Sequence, residues 1–347
     1  MNRNILEIEN LNVHFPIHIG TVRAVENVSL ELKQGEVMGL VGESGCGKST
    51  LGFSILRLLR PPGMFAGGQI RYHGSDILTM SEGEILGLRG KRIAMIFQDP
   101  LTSLNPLFRI GDQFVETILT HEKGVSKKQA LERAAEMLKR LGIAPERLHE
   151  YPHQMSGGMR QRVMIGMALV LNPDLLIADE PTTSLDVIVE AQFLDLLNEL
   201  RAQFNLTILL ISHNLGIVAQ MADRITVMYG GRLAESGKAE AVFADPLHPY
   251  TQGLLASIPN IKMDQPELHT MSGAPPDLVK PPTGCVFHPR CPHVMDKCRR
   301  EIPRTVNKDD HLAACWLYGR AEDRILKSEF GMRKLEKGRA HRAWRIG

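Results

Sequence analysis

Gly42-Glu43-Ser44-Gly45-Cys46-Gly47-Lys48-Ser49, followed by Thr50, reads G-x-x-x-x-G-K-S, the pattern of a loop that cradles phosphates. Its flanks agree with that reading. Val37-Met38-Gly39-Leu40-Val41 is apolar and short enough for a buried parallel strand, and Leu51 to Leu59, rich in Leu and Ile, reads as a helix. The glycines let the backbone curl close to an anion and turn N–H groups inward. The helix adds its unpaired N–H groups and the positive end of its dipole. Lys48 supplies a point charge for the β- and γ-phosphates, and Ser49 a hydroxyl for Mg²⁺. The bland alternative is a glycine-rich turn that matches by accident. The strand, the helix and the Lys48-Ser49 pair argue together against it.

The chain has 347 residues, enough for two domains or one large α/β domain with an appendage. Its 43% hydrophobic and 23% charged content is that of a globular protein rather than a disordered one. A net charge of +2 gives no global reason to expect nucleic acid as a partner. Met1 to Glu7 lacks the apolar core of a signal peptide, and no run of 18 apolar residues occurs, so a cytosolic chain with reduced thiols is expected.

Residues 5–33 read as strands. Ile5, Glu7 and Glu9 alternate with Leu6 and Ile8, and Val28, Leu30 and Leu32 repeat at period two. Short alternating strands of this kind predict an antiparallel subdomain beside the nucleotide. Phe15 lies within it, either stacking on adenine or serving as an ordinary core residue. Pro61-Pro62-Gly63 and Gly67-Gly68 break the chain after the first helix. Ile70, Tyr72 and the turn His73-Gly74-Ser75 suggest an edge hairpin. Ile93 to Phe97 predicts a buried strand, stopped at Gln98-Asp99-Pro100.

From 110 to 150 the spacing turns helical, through Phe114 and Ile118 and then Ala130, Ala134, Met137, Leu138 and Leu141, with Gly142 as a stop. This predicts an inserted helical subdomain over about 101–172. Another helix follows Ser156-Gly157-Gly158. Strands are expected at Leu175 to Ala178, ending in Asp179-Glu180, and at Leu206 to Ile211, ending in Ser212-His213, with a helix over Phe193 to Phe204 between them. A hairpin is expected around Tyr229-Gly230-Gly231. The alternation implies an α/β fold: a phosphate-loop core on a mainly parallel sheet with helices on its faces. Asp179, Glu180, Gln98 and His213 all end strands, where open α/β sheets bind ligands. There Asp179 and Gln98 suit Mg²⁺, Glu180 suits a general base, and His213 suits contact with a γ-phosphate.

These motifs, with Met155-Ser156-Gly157-Gly158-Met159 and Pro181 to Asp186, resemble those of an ATP-binding-cassette ATPase over about residues 1–258. Asp99 to Pro106, Asp245 to Thr251 and the Cys-rich end from Gly284-Cys285 are similar to segments of the dipeptide, oligopeptide and nickel importer ATPases. The resemblance implies that Gly42 to Thr50 hold ATP, with Phe15 at the adenine and Ser49, Gln98 and Asp179 at Mg²⁺. Glu180, His213 and Gln98 would be catalytic. Ser156, Gly157 and Gly158 would complete the site of a second ATPase subunit, and Asp186 would belong to the D-loop. It further implies two transmembrane permeases, a paralogous ATPase, an extracytoplasmic solute-binding protein and a peripheral position on the cytoplasmic face of the membrane. Met155 and Met159 stand where the family signature has Leu and Gln, and Phe15 stands for the usual Tyr or Trp. Competing readings are an ATPase acting on ribosomes or DNA, a nickel or other solute importer, and a metal-sensing interaction protein.

Composition shifts near Pro259, predicting a small Cys-rich C-terminal module (259–319) and then a basic tail (320–347) with nine Lys or Arg, either solvated or lying on an anionic membrane. Four of the five cysteines, Cys285, Cys291, Cys298 and Cys315, fall in the module. Their spacing is wider than the close pairs zinc takes, and it suits a [4Fe–4S] cluster, with zinc as the alternative. Cys46 stands apart in the phosphate loop and is expected to be structural.

Overall fold

Every residue of the strand Val37–Val41 is buried, as a strand covered on both faces requires. It belongs to a computed structural model in which residues 4–98, 104–182, 187–257 and 271–318 are described. These divide into two compact units: one from 6–32, 37–74 and 212 onward, the other from 4–5, 33–36 and 75–211.

In the first unit Val37–Val41 runs parallel to Arg224–Tyr229. The sheet continues antiparallel through Arg232–Lys238, His311–Ala313 and Val306–Lys308. The expected hairpin at Tyr229 is present: Tyr229 pairs with Arg232, and Gly230 (φ 54°) and Gly231 (φ 80°) supply the left-handed pair a two-residue turn demands. A separate sheet carries Gly20–Lys33, Asn4–Ile17 and Met64–Tyr72, the last two antiparallel.

Its first two strands are 14 residues each, longer than the short alternating strands the sequence suggested. Asn10 (φ 46°) and Asn27 (φ 53°) explain the length. Each inserts a left-handed residue that resets the period, so Leu6 and Ile8, then Leu11 and Val13, are all buried. The two bulges are tied across the pair, Asn10 N–H to Ser29 Oγ at 2.8 Å and Asn27 N–H to Asn12 Oδ1 at 2.8 Å.

The helix after the phosphate loop runs Lys48–Ile55, ending four residues before the expected Leu59. Arg57 (φ 50°) takes the left-handed position that glycine usually fills, with Leu58 N–H to the Phe53 carbonyl at 2.9 Å and Arg57 N–H to that of Ser54 at 3.1 Å. A helix end of this kind needs no Gly or Pro, so it leaves little sign in the sequence.

The second unit holds the parallel strands Ile93–Ile96, Leu175–Asp179 and Thr207–Ser212 in that sheet order, the last two entirely buried. Helices Ile110–His121, Lys127–Arg140 and Gly157–Leu169 fall within the stretch of helical spacing, and Gly142 (φ 69°) follows the end of the second. They meet at Gly166, where a Cβ would lie 2.7 Å from Leu141 and 3.2 Å from Phe114. The helix expected from Phe193 begins earlier, as Val187–Phe204. Its β-branched opening favours strands by local preference, and the fold overrides it.

Candidate functional site

The phosphate loop leaves Val41 through three glycines at positive φ: Gly42 at 155°, Gly45 at 78° and Gly47 at 106°. At two of them space is decisive as well. A Cβ on Gly42 would sit 2.1 Å from the Met228 carbonyl oxygen, and one on Gly47 would sit 2.1 Å from that of Ala24. Gly45 faces open space, so its backbone angle alone requires glycine. Lys48, 3% exposed, turns back over the loop: its Nζ donates to the Gly42 carbonyl at 2.8 Å and the Glu43 carbonyl at 3.0 Å. Cys46 is buried with its Sγ 4.0 Å from that Nζ, and burial raises its thiol pKa. Gly231 N–H donates to the Cys46 carbonyl at 3.0 Å, seating the loop on the hairpin turn.

Two contacts on this loop went unread in the sequence. Glu43 N–H donates to the Tyr250 hydroxyl at 2.9 Å. The Glu43 carboxylate receives both outer nitrogens of Arg290, at 2.8 and 3.0 Å. Tyr250 lies in the Asp245 to Thr251 segment that already stood out as family-like, whereas Arg290 carries no local signal.

Tyr250 is fully buried and stands at the start of the helix Pro249–Ala256. His248 caps that helix, its Nδ1 accepting from Tyr250 N–H at 3.0 Å. Burial pushes the His248 pKa down to about 4, partly opposed by Glu235. A histidine depressed when folded stabilises fully above its unfolded pKa of about 6.5, and that stability is lost as pH falls toward 4. Urea unfolding of the wild type is therefore expected to lose about 3 kcal/mol between pH 7 and pH 4 from this group. His248→Asn keeps a capping oxygen and should show a shallower slope. Equal slopes would refute the assignment.

In the second unit the strand Leu175–Asp179 delivers Asp179, 2% exposed, at its end. Glu180 follows at φ 45°, a strained angle for a residue with a side chain, and its N–H donates to the Ile211 carbonyl at 2.9 Å. Gln98 Nε2 donates to Glu180 Oε2 at 3.0 Å. The structure thus joins two of the three residues expected to be catalytic. His213, the third, belongs to the first unit and is exposed just past Thr207–Ser212. There Ser212 Oγ accepts from Asn214 N–H and Asn214 caps the next helix.

Ser156 caps the helix Gly157–Leu169, its side chain accepting from Met159 N–H at 3.3 Å. Ser156 and Gly157 are exposed, and a Cβ on Gly157 would meet nothing within 4 Å. Those N–H groups therefore stand at a helix start able to receive an anion. Phe15 is half-buried against the Pro61-Pro62-Gly63 turn, close enough that a Cβ on Gly63 would lie 2.6 Å from its ring. Asp186, Asp99 to Ser103, residues 258–270 and the basic tail lie outside the described residues.

The four clustered cysteines converge on one small cavity, walled also by His248, Phe287 and Leu317. Gly284 (φ 71°) makes the approach possible, since a Cβ there would sit 2.4 Å from the Cys298 carbonyl oxygen. Burial pushes the Cys291 thiol up to about 11 and the Cys315 thiol up to about 12, and raises that of Cys285. Backbone hydrogen bonding from Phe287 and His288 at Cys285, from His293 at Cys291 and from Leu317 at Cys315 partly offsets that rise. Among the described residues, no group of three or more His, Cys, Asp or Glu side chains meets the arrangement for holding a metal ion. No helix among them is long and apolar enough to cross a membrane.

Residues 25–183 match the ABC transporter family, and residues 234–298 match the oligopeptide/dipeptide transporter C-terminal region. The dipeptide transport ATP-binding protein DppD of Bacillus subtilis is 48% identical over 330 residues, covering 94% of this chain and 98% of that one. The oligopeptide transport ATP-binding protein OppD of Salmonella typhimurium is 47% identical, covering 90% and 93%. Among solved structures, cbiO1 of Clostridium perfringens, part of the ABC transporter complex cbiONQ, superposes with a TM-score of 0.61 at 29% identity, covering 71% of this chain and 92% of that one. The dimeric structure of MJ0796, a bacterial ABC transporter cassette, gives 0.60 at 26% identity, covering 67% and 98%.

Proposed function

The chain belongs to the ABC transporter family, and from that membership we infer that it is the ATP-hydrolysing subunit that powers import of di- or oligopeptides. One observation carries the reading: a phosphate loop with three left-handed glycines and a buried Lys48 lies in a chain that also bears the peptide-transporter C-terminal region. ATP is its substrate and Mg²⁺ its cofactor, and it works with permease subunits in the membrane. The finer reading is two permeases, a paralogous second ATPase and an extracytoplasmic solute-binding protein, with this subunit on the cytoplasmic face. A cassette solved as a dimer supports the pairing of two ATPases.

Roles follow from chemistry. Gly42 to Thr50 wrap the phosphates, and Lys48 supplies positive charge. Ser49, Asp179 and Gln98 each offer an oxygen donor of the kind a hard cation takes, and Mg²⁺ held by such groups would supply charge that offsets the phosphates. Glu180 takes the proton of the attacking water, steadied by Gln98, and His213 meets the γ-phosphate. Ser156, Gly157 and Gly158 close over the triphosphate of the second ATPase, with Asp186 in the connecting D-loop. ATP so held between subunits closes the pair, and its hydrolysis reopens it, moving the permeases. The test is the purified assembly in vesicles, with subunits identified and peptide uptake followed on addition of ATP. Uptake of peptide is the expected result. Hydrolysis with no peptide moved, or with nickel moved in its place, would sink the reading.

For the Cys-rich module expected over 259–319, a [4Fe–4S] cluster is the cofactor. Four cysteines lining one small cavity support that reading, since the cluster takes four thiolates. Such a cluster would supply a cross-link among four points of the chain. The raised thiol pKa values mean that loading releases protons, so reconstitution should run faster as pH rises. Anaerobic purification is expected to yield about four iron and four sulfide per chain, falling sharply in Cys298→Ser. A colourless protein with one zinc would overturn the assignment.

A further inference from the structure

We propose that Arg290 is a positioning residue of the nucleotide site: it neutralises Glu43 inside the phosphate loop and grips that loop from the segment bearing Cys285, Cys291 and Cys298. The proposal rests on the nucleotide-binding reading above. Glu43 is the second residue of a loop that wraps a polyanion, and its carboxylate opposes phosphate charge. Lys48, the loop's own cation, is engaged with main-chain carbonyls rather than with that carboxylate. Arg290 meets it with a two-pronged pair at 2.8 and 3.0 Å, the geometry in which guanidinium and carboxylate bind most specifically. The Arg290 side chain is 6% exposed and that of Glu43 is 23% exposed, so bulk water screens the pair only partly.

Arg290 is itself held from several sides. Its Nε donates to the Ser272 carbonyl at 3.2 Å, and its guanidinium reaches the Tyr229 hydroxyl at 3.3 Å. Gly273 leaves room for its stem, because a Cβ there would lie 3.2 Å from Arg290 Cγ. Glu43 is gripped twice, by Arg290 at the carboxylate and by Tyr250 at the backbone N–H. Cys291 follows Arg290 directly in the chain. By thermodynamic reciprocity, nucleotide in the loop and order in the cysteine segment then favour each other.

The test measures MgATP affinity and amide hydrogen exchange on the full chain in its assembly. Arg290→Gln is expected to weaken MgATP binding about tenfold, because Glu43 is left unneutralised. Adding Glu43→Gln should recover most of the loss. Support by shape alone predicts no rescue, so a double variant as weak as the single one overturns the proposal. In the wild type, MgATP should slow exchange over 285–298, and in Arg290→Gln it should not; equal slowing in both also overturns it. If the single variant does not fold, the double variant decides: affinity within about threefold of wild type supports the charge role, and a tenfold loss refutes it. A wild type that binds no ATP would instead sink the functional reading itself.

Discussion

Glu180→Gln is expected to leave MgATP affinity within about threefold of wild type while turnover falls by about a hundredfold or more. The substitution keeps size and planarity, and the glutamine oxygen still accepts from Gln98 Nε2, now at 3.0 Å from the carboxylate. What it removes is the capacity to take a proton. The strained φ of 45° at Glu180 is set by the backbone, with its N–H fixed on the Ile211 carbonyl, and it survives the change. Phosphate release against ATP concentration checks both halves. Near-normal hydrolysis would remove Glu180 from the role of base.

Lys48→Ala is expected to weaken nucleotide binding by about a hundredfold or more, since the charge nearest the β- and γ-phosphates disappears. A second effect comes from the resting loop. Nζ donates to the Gly42 and Glu43 carbonyls, and truncation deprives both of their donor, costing about 1–3 kcal/mol of stability. A nucleotide titration with a thermal melt in the absence of nucleotide separates the two. Unchanged affinity would refute the role, whatever the melt shows.

The phosphate loop was legible because its demands are local: three glycines at fixed spacing, then Lys48 and Ser49. Gly142 as a helix stop and Gly230-Gly231 as a turn were legible for the same reason. Asn10, Asn27 and Arg57 were not. Each takes a left-handed angle with a side chain attached, so a bulge or a helix end arrives without the residue that usually announces it. Helix Val187–Phe204 was read short because its β-branched start favours a strand locally. Four cysteines invited a cofactor from spacing, but only folding brings them to one cavity. Arg290 was invisible, since its partner Glu43 is 247 positions away and the pairing depends on tertiary structure alone.

Glu235 carries a consequence for how the chain is made. Its buried carboxylate accepts from Leu247 N–H at 2.7 Å, His248 N–H at 2.8 Å and His311 Nε2 at 2.6 Å, and its backbone pairs with Ala313. On a ribosome adding about 5–20 residues per second, the first two donors emerge seconds before the third. Throughout that interval the Glu235 carboxylate lacks one donor, and the strand Arg232–Lys238 lacks a neighbour. The nascent nucleotide-binding unit is therefore unfinished until residue 313 has left the tunnel. A premature stop just before His311 would spare every residue from Gly42 to Thr50, and it would still leave Glu235 one donor short and that strand without its partner.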